Sequence, residues 1–255
     1  MGVTGVNQPQ AIDPAQLNDE YDRLTVQIIE RVCTATAASI DIGAGVGEIT
    51  RHLVRVAPEG RHFAVEPLPA LADELAGTLP SVTLIRAAAA ETTGPHSFVH
   101  VVSNQGYSGL YRRPYDRPDE TLRQITVDTV RLDEVIPSDV DIDLVKVDVE
   151  GGEVVALRGA LRTLRRSLPV IVFEHGGDRV MSEYGTTTDD LWSLLVGELG
   201  YQVFTLPAWL AGRPAMDRAA FATALERDWY FVAAERPTPV RTSDPASSPP
   251  PEQRG

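Results

Sequence analysis

An acid followed by three glycines forms the most distinctive short segment of the sequence. Asp41 closes a short apolar run. The glycines follow at alternate positions, as Gly43, Gly45 and Gly47. Glycines between a buried strand and a helix let the backbone turn tightly and approach a ligand closely. The dinucleotide fingerprint G-x-G-x-x-G would require glycine where this chain has Glu48. The observed spacing is instead typical of S-adenosylmethionine sites, in which Asp41 would bind the ammonium group. A turn that only packs a helix on a strand is the alternative.

A second acid, Glu66, closes the next predicted strand, one crossover away from the glycine turn. An acid at this place accepts hydrogen bonds from both hydroxyls of a ribose. A solvated glutamate at a strand end is the alternative for Glu66 taken alone. The adenine ring is expected at the end of the third strand, around Ala88, where small side chains leave room for it. The two acids and the glycines together predict a nucleoside site.

Charged residues crowd the end of the fourth predicted strand, at Lys146, Asp148, Glu150 and Glu153. Ligands of doubly wound sheets bind outside the carboxyl ends of the strands. Acids and a lysine at such a place are costly unless they are paired. We therefore expect Lys146 to pair with a carboxylate and Glu150 to contact substrate. Glu153 falls in a first helical turn, where it complements the helix dipole and serves the structure.

Glu174 and His175 end the next strand, which lies beside Asp148 in the usual sheet order. The three side chains are therefore expected to converge as the catalytic group. Asp148 and Glu174 supply the oxygen ligands that a divalent cation such as Mg²⁺ prefers. The same residues also suit a general base that takes a hydroxyl proton. For His175, a hydrogen-bonded position in a turn is the alternative.

The segment 104–116 is long for a loop within a compact domain, which indicates function. Tyr107 offers a ring for stacking, and Ser108 a hydroxyl, so both are predicted to contact substrate. Arg112 or Arg113 would hold an anionic group, with Arg112 the preferred candidate. Paired arginines in a loop are otherwise simply solvated.

Strands and helices alternate along most of the chain, which predicts an α/β fold with a doubly wound, mostly parallel sheet. A strand–loop–strand segment interrupts the alternation between residues 97 and 135. Strands are predicted at 38–42, 61–66, 82–85, 97–102, 124–127, 142–148, 170–174, 201–206 and 229–234. Helices are predicted from Asn18, and at 46–56, 69–77, 152–166 and 187–199.

The composition fits one domain and limits its partners. The 255 residues are 43% hydrophobic and carry a formal net charge of −13, which repels nucleic acid. Cys33 is the single cysteine, which excludes an intrachain disulfide and a thiolate zinc cluster. No segment is apolar enough to span a bilayer or to direct export, so a cytoplasmic location is expected.

Three regions are predicted from the pattern of apolar residues. Residues 1–17 are polar and without period, and are expected to be a disordered N-terminal tail. Residues 18–235 form the folded domain. Residues 236–255 are rich in proline and serine, and are expected to be a disordered C-terminal tail because they have no apolar face to bury.

Taken together, these segments resemble the FkbM-type methyltransferases. The matching stretches follow the family's order and spacing: DIGAGVGEIT (41–50), FAVEPLP (63–69), VDTVRLDEV (127–135), LVKVDVEGGE (144–153), RGA (158–160) and PVIVFEHG (169–176). The resemblance implies a class I Rossmann-like fold with an antiparallel last strand, S-adenosylmethionine as methyl donor, and O-methylation of a sugar or other small metabolite. It also implies that the glycine turn lines the cofactor and Glu66 takes the ribose. Gly45 departs from the family, which often has asparagine there, and this removes a side-chain contact.

Other function classes share part of the pattern. A nicotinamide-dependent oxidoreductase has the same layered sheet, but Glu48 interrupts its phosphate turn. A nucleic-acid methyltransferase shares the cofactor, but the net charge opposes its substrate. A non-catalytic module that binds S-adenosylmethionine would keep the glycine turn and lose the cluster around Asp148. The expected partner is therefore a small molecule, and the sequence is compatible with a homo-oligomer. A looser likeness to metal-dependent O-methyltransferases makes Asp148 the first candidate for a metal ligand.

Overall fold

Ten strands and ten helices organise residues 14–115, 117 and 119–235, which the computed structural model describes. The strands are β1 Ser39–Ile42, β2 His62–Val65, β3 Thr83–Ile85, β4 Ala88–Ala89, β5 Gly94–Val101, β6 Leu122–Val130, β7 Leu144–Val147, β8 Val170–Glu174, β9 Gln202–Thr205 and β10 Tyr230–Ala234. The helices are α1 Pro14–Val32, α2 Glu48–Val56, α3 Pro69–Thr78, α4 Leu132–Val135, α5 Glu153–Arg158, α6 Leu161–Ser167, α7 Asp178–Met181, α8 Thr188–Trp192, α9 Leu206–Leu210 and α10 Arg218–Ala224. A π-helical segment, Ser193–Glu198, continues α8.

The main sheet has seven strands in the order β3-β2-β1-β7-β8-β10-β9. β1, β2, β3, β7 and β8 pair in parallel, and β10 runs antiparallel to both of its neighbours. The strand order reverses between β1 and β7, so their carboxyl ends open a crevice at the switch point. The predicted doubly wound sheet with an antiparallel last strand is confirmed.

The inserted segment is a second sheet of three strands, in the order β4-β6-β5. β5 and β6 form a long antiparallel ladder that runs from the pair Gly94–Thr129 to the pair Val101–Leu122. β5 begins three residues before the predicted range 97–102, and β6 extends beyond the predicted range 124–127 at both ends, because the ladder continues through residues that carry little apolar alternation. The loop that joins them returns to β5 through a bridge between Val99 and Gly109.

Alternation along the strands divides the core into two layers. On one face, Val145 and Phe173 join an apolar cluster with α5, α6 and α8. On the other face, Leu144 and Val172 join a cluster with α1 and α2. Successive strand side chains point to opposite faces. Lys146 and Glu174, two positions after Leu144 and Val172, therefore face the α1 side. His175, two positions after Phe173, faces the α5 side.

Several helices differ from their predicted extents. α1 begins at Pro14 rather than near Asn18, and the predicted helix 152–166 is two helices. The break falls at Gly159, where a Cβ atom would lie 2.1 Å from the carbonyl oxygen of Ala90. The short helices α4, α7, α9 and α10 were not predicted, because four to seven residues carry too little periodicity to be recognised. The predicted tail 236–255 and residues 1–13 lie outside the described residues.

In the part of the chain that the structure describes, no helix combines the length and the apolar character that a membrane span requires.

Candidate active site

The glycine turn after β1 is held close to the end of β7. Gly43 has φ +77°, and its N–H donates to the carbonyl oxygen of Val65 at 2.9 Å. A Cβ atom on Gly43 would lie 1.9 Å from the carbonyl oxygen of Asp148. Both the backbone angle and the space therefore require glycine. Gly47 has φ +82°, and a Cβ atom on it would lie 3.1 Å from the side chain of Leu79 and 3.3 Å from that of Leu75.

The structure brings Glu66 onto the glycine turn. The N–H of Gly45 donates to Oε2 of Glu66 at 2.9 Å, and the N–H of Leu68 donates to Oε1 at 2.7 Å. Burial raises the pKa of the Glu66 carboxyl group, and the two N–H donors oppose that rise. Gly45 has φ +56°, and a Cβ atom there would meet no heavy atom of the described residues within 4 Å. The turn therefore presents a bare backbone to open space beside an acid.

Asp41 lies beneath this turn, almost fully buried. The hydroxyl of Thr50 donates to its Oδ2 at 2.6 Å. Its Oδ1 is 3.9 Å from Nζ of Lys146 and has no hydrogen-bond partner among the described residues. Burial raises the pKa of the Asp41 carboxyl group, and the charge of Lys146 opposes the rise. Asp41 borders a cavity that lies over β1, β7 and β8, and one of its oxygens is still able to accept a hydrogen bond.

Two adjoining cavities open at the carboxyl ends of the strands. The smaller cavity lies along β2, β4 and β5, and its lining includes Glu66, Leu68, Ala88 and Phe98. The larger cavity, of about 760 Å³, lies over β1, β7 and β8. Small-molecule sites usually enclose about 300–1,000 Å³. Gly45, Gly106, Asp148 and Glu150 line both cavities, so a single ligand can extend from one into the other.

Asp148 is fixed at the floor of the larger cavity. Nζ of Lys146 donates to its Oδ2 at 3.1 Å, and the hydroxyl of Tyr230 donates to the same oxygen at 2.6 Å. Lys146 also donates to the carbonyl oxygen of Gly43 at 3.2 Å. Burial opposes the charge on Lys146, but the carboxylates of Asp148 and Asp41 raise the pKa of its ammonium group above the ordinary value. The expected pairing of Lys146 with a carboxylate is thus present in the structure.

Glu174 joins Asp148 as predicted. The two side chains are hydrogen-bonded, and they carry opposite pKa shifts. Burial and the negative charge of Asp148 raise the pKa of Glu174 well above its ordinary value. Burial would also raise the pKa of Asp148, but the Lys146 ammonium and the Tyr230 hydroxyl hold it below its ordinary value. The opposite shifts make Glu174 the more basic member of the pair and Asp148 the member that favours the charged form.

His175 does not join these carboxyl groups. It borders the larger cavity, but its ring lies on the α5 face of β8, where it stacks on Phe221 at 5.5 Å between centroids. Its Nε2 is 3.0 Å from the hydroxyl of Thr188. The group of acids whose oxygens lie within 4.8 Å of one another is instead Asp148, Glu150 and Glu174 among the described residues. The expected convergence therefore holds for Glu174 but places the His175 imidazole elsewhere.

The loop after β5 covers the larger cavity, and its inward arginine is Arg113. Its guanidinium group pairs with Glu150 and lies over the ring of Tyr107, 4.8 Å from the centroid. Arg112, the arginine preferred from the sequence, is exposed, whereas Arg113 and Tyr107 line the larger cavity. Ser108 lines the smaller cavity, and its hydroxyl accepts a hydrogen bond from the N–H of Val101 at 3.0 Å.

The turn between β7 and α5 places Glu150 under strain. Glu150 has φ +57°, a conformation that residues with a side chain rarely adopt. Glu153 stabilises this turn, because its Oε1 accepts a hydrogen bond from the N–H of Gly151 at 3.0 Å. Burial raises the pKa of the Glu153 carboxyl group to about 7. This hydrogen bond is consistent with the structural role predicted for Glu153, because it holds the turn that carries Glu150.

Two residues of this site were not singled out from the sequence. Tyr230 starts the last strand, and only the register of β10 against Glu174 shows that it reaches Asp148. Tyr184 lies beyond α7, and its hydroxyl accepts a hydrogen bond from the N–H of Leu110 at 3.2 Å. Tyr184 therefore anchors the loop over the cavity. Neither residue belongs to a motif, so the pairing of distant segments was the missing information.

The comparisons with known proteins agree with this fold. The sequence model of the methyltransferase FkbM domain matches residues 41–203. The methyltransferase FkbM from Methylobacillus flagellatus KT aligns with a TM-score of 0.50 and 18% identity over 79% of this chain. The chain spans 44% of the length of that protein. No curated protein matches the sequence.

Two further structures are similar at lower scores. A precorrin-6y C5,15-methyltransferase from Geobacter metallireducens GS-15 aligns with a TM-score of 0.44 and 15% identity, over 91% of this chain and 94% of its own. A TehB-like SAM-dependent methyltransferase from Corynebacterium glutamicum ATCC 13032 Kitasato gives a TM-score of 0.45 and 14% identity, over 88% of this chain and 100% of its own. The strand order of the main sheet and the likeness to the FkbM structure confirm the predicted class I methyltransferase fold. With more than half of its length matched by the domain model, the chain belongs to the FkbM methyltransferase family.

Proposed function

We propose that this methyltransferase uses S-adenosylmethionine to methylate a hydroxyl oxygen of a small metabolite, such as a sugar, a glycolipid or another natural product. One observation carries the proposal. The bare turn at Gly45, with Glu66 beside it, opens into the same cavity as the fixed carboxylate of Asp148. A nucleoside cofactor and an acceptor can therefore meet at one place.

The residues present fit S-adenosylmethionine. The smaller cavity is apolar around Leu68, Ala88 and Phe98, which suits an adenine ring. Glu66 can accept hydrogen bonds from ribose hydroxyls, because each carboxylate oxygen has capacity beyond the one N–H donor that it now holds. The buried Oδ1 of Asp41 is free to accept a hydrogen bond and suits the ammonium of the amino-acid end. When bound, S-adenosylmethionine supplies an electrophilic methyl group on its sulfonium.

Asp148 is the residue that we place against the acceptor. Its carboxylate accepts a hydrogen bond from the reacting hydroxyl and so aims a lone pair of the oxygen at the methyl carbon, at roughly 3 Å. Formation of the C–O bond would break the bond between the methyl carbon and the sulfonium sulfur, with neutral S-adenosylhomocysteine as the leaving group. The hydroxyl oxygen would gain positive charge in this step, so that its proton becomes strongly acidic. Even a carboxylate with a lowered pKa then takes that proton. Lys146 and Tyr230 hold Asp148 in place, and Glu174, whose pKa is raised by burial and by the charge of Asp148, lies beside it.

A divalent cation at Asp148 and Glu174 is the alternative chemistry for this cluster. Each acid of the cluster already has a partner from this chain. Lys146 pairs with Asp148, Arg113 pairs with Glu150, and Glu174 is bonded to Asp148. The Lys146 ammonium would also repel a second cation. We therefore propose that the reaction needs no metal. Turnover that survives exhaustive chelation with EDTA would support this, and turnover restored only by Mg²⁺ would contradict it.

The acceptor that we propose is a small molecule rather than a nucleic acid. The larger cavity is bordered by further acids, Asp22 and Glu48, in addition to those at its floor. The net charge of the chain is −13. Both features repel a phosphate backbone. A nicotinamide-dependent oxidoreductase is disfavoured because the family and the fold are those of methyltransferases.

Calorimetry and turnover test the proposal together. S-adenosylhomocysteine is expected to bind and NADH is not. Acceptors would be identified by mass spectrometry of metabolites that copurify, and turnover followed by release of S-adenosylhomocysteine. Asp148→Asn is expected to lower turnover at least 100-fold while its affinity for S-adenosylhomocysteine stays within threefold of the parent. The exposed Asp141→Asn serves as the matched control. Binding without any turnover would indicate a non-catalytic module, and lost binding in a folded Asp148→Asn protein would show that the residue holds the cofactor.

A further inference from the structure

A chain of hydrogen bonds links Asp178, Thr188 and His175 beside the larger cavity. The hydroxyl of Thr188 donates to Oδ1 of Asp178 at 2.6 Å, and the N–H of Thr188 donates to the same oxygen at 2.6 Å. Nε2 of His175 lies 3.0 Å from the Thr188 hydroxyl oxygen. Asp178 begins α7 and Thr188 begins α8, so two helix starts fix the arrangement.

The protons available in these three linked side chains determine the tautomer of His175. The hydrogen bonds from Thr188 lower the pKa of Asp178, so its carboxylate is ionised and only accepts. A hydroxyl group has one proton, and Thr188 gives it to Asp178. The Thr188 oxygen can therefore only accept from His175, which places the imidazole proton on Nε2. Nδ1 then carries a lone pair and no proton.

Nδ1 of His175 is buried, and the described residues offer it no hydrogen-bond partner. Burial also lowers the pKa of His175 to about 4, so the ring stays neutral near pH 7. Stacking on Phe221, with 16° between the planes, holds the ring in one orientation. A buried acceptor without a donor is destabilising, and a ligand that supplies a donor would relieve that cost.

The register of the sheet relates Nδ1 to the proposed reaction centre. Val147 pairs with Phe173, so Asp148 lies beside Glu174 and His175 follows one residue further on. Neighbouring strands are about 4.8 Å apart. His175 and Asp148 both border the larger cavity, on opposite faces of the sheet. Both residues therefore border the space in which an acceptor would be bound.

We propose that Nδ1 of His175 accepts a hydrogen bond from a second hydroxyl of the methyl acceptor, which makes the acceptor a polyol such as a sugar. Asp178 and Thr188 are positioning residues that fix the tautomer. This inference rests on the proposed function for the reacting hydroxyl at Asp148. The two hydroxyls set the orientation of the acceptor and so determine which oxygen receives the methyl group.

The tautomer can be tested without any substrate. ¹⁵N NMR of histidine-labelled protein at pH 7 is expected to show a proton on Nε2 of His175 and a bare Nδ1, with His175→Gln providing the assignment. Thr188→Val should abolish this pattern and Thr188→Ser should restore it. Asp189→Asn is the matched control, because Asp189 pairs with Arg218. A proton on Nδ1, or a pattern unchanged in Thr188→Val, would overturn the positioning role.

The ligand is tested with a panel of methyl glycosides and their monodeoxy derivatives, added to protein saturated with S-adenosylhomocysteine. At least one glycoside is expected to shift the Nδ1 resonance, and the derivative that lacks one hydroxyl is expected to leave it unmoved. A panel that never moves Nδ1 would overturn the polyol inference. Failure of S-adenosylhomocysteine to bind would instead contradict the proposed function, and the tautomer result would still stand. The two failures are therefore distinguishable.

Discussion

Substitution of Gly43 and of Gly45 by alanine should distinguish a loss of stability from a loss of cofactor affinity. At Gly43, a positive φ costs an L-residue about 1–2 kcal/mol, and forcing a Cβ atom against a backbone oxygen costs about 1–3 kcal/mol more. The contact is 1.9 Å from the Asp148 carbonyl oxygen, so the two strands must separate. A loss of about 3 kcal/mol lowers Tm by about 6–12 °C in a domain of this size. Gly45→Ala should lower the free energy of unfolding by only about 1 kcal/mol, the cost of its positive φ, because its Cβ atom enters open space.

Binding should show the opposite order. The Cβ atom of Gly45→Ala stands in the cleft beside Glu66, so affinity for S-adenosylhomocysteine is expected to fall at least tenfold with Tm lowered by only about 2–4 °C. Gly77→Ala is the matched control, since helix α3 gains about 0.5–1 kcal/mol there and no heavy atom of the described residues obstructs the new Cβ. Differential scanning fluorimetry and calorimetry measure both quantities. Equal Tm values for the alanine variants at 43 and 45, or unchanged affinity in Gly45→Ala, would refute the reasoning.

Three further substitutions test single contacts. Glu66→Gln should weaken binding of S-adenosylhomocysteine at least tenfold by calorimetry, because an amide NH₂ would face one of the two N–H donors that the carboxylate now accepts; unchanged affinity would remove Glu66 from the ribose site. Tyr230→Phe removes a donor that stabilises ionised Asp148, so the pKa of Asp148 should rise and the acidic limb of the pH–turnover profile should move to higher pH; an unmoved limb would contradict the role of Asp148 as proton acceptor. Glu153 binds its proton more tightly folded than unfolded, with pKa about 7 against 4.5, so the stability of the parent should fall as pH rises through that range. Urea denaturation at pH 5 and pH 8 should show that Glu153→Gln removes about 2.5 kcal/mol of this loss, and an equal fall in the free energy of unfolding in both proteins would argue against a buried acid.

Local sequence patterns were sufficient wherever the site depends on a single strand–turn unit. The glycines after β1 need a tight turn, and Glu66 follows a strand that must lie beside β1, so their contact could be predicted. The meeting of Asp148 and Glu174 followed from the usual order of strands. Lys146 had to find a carboxylate because an isolated charge in an interior strand is too costly.

Side-chain direction and long-range pairing could not be read in the same way. Glu174 and His175 are neighbours in sequence, yet the pleat of β8 sends them to opposite faces. Arg112 and Arg113 are adjacent too, and the backbone of the loop alone decides which one meets Glu150. Tyr230 reaches Asp148 from the far end of the chain through an antiparallel register that no local pattern encodes. These contacts depend on tertiary structure rather than on residue spacing.

The buried ammonium of Lys146 stands between the two halves of the site. It lies 3.9 Å from the acid under the glycine turn, Asp41, and 3.1 Å from the acid at the acceptor position, Asp148. A cation bound to Asp41 weakens the attraction between that carboxylate and Lys146. The Lys146 ammonium then interacts more strongly with Asp148. Thermodynamic coupling of this kind works equally in both directions. The dissociation constant of the methyl donor should therefore change when the methyl acceptor is bound, and that of the acceptor should change when the donor is bound, even if the two ligands are not in contact.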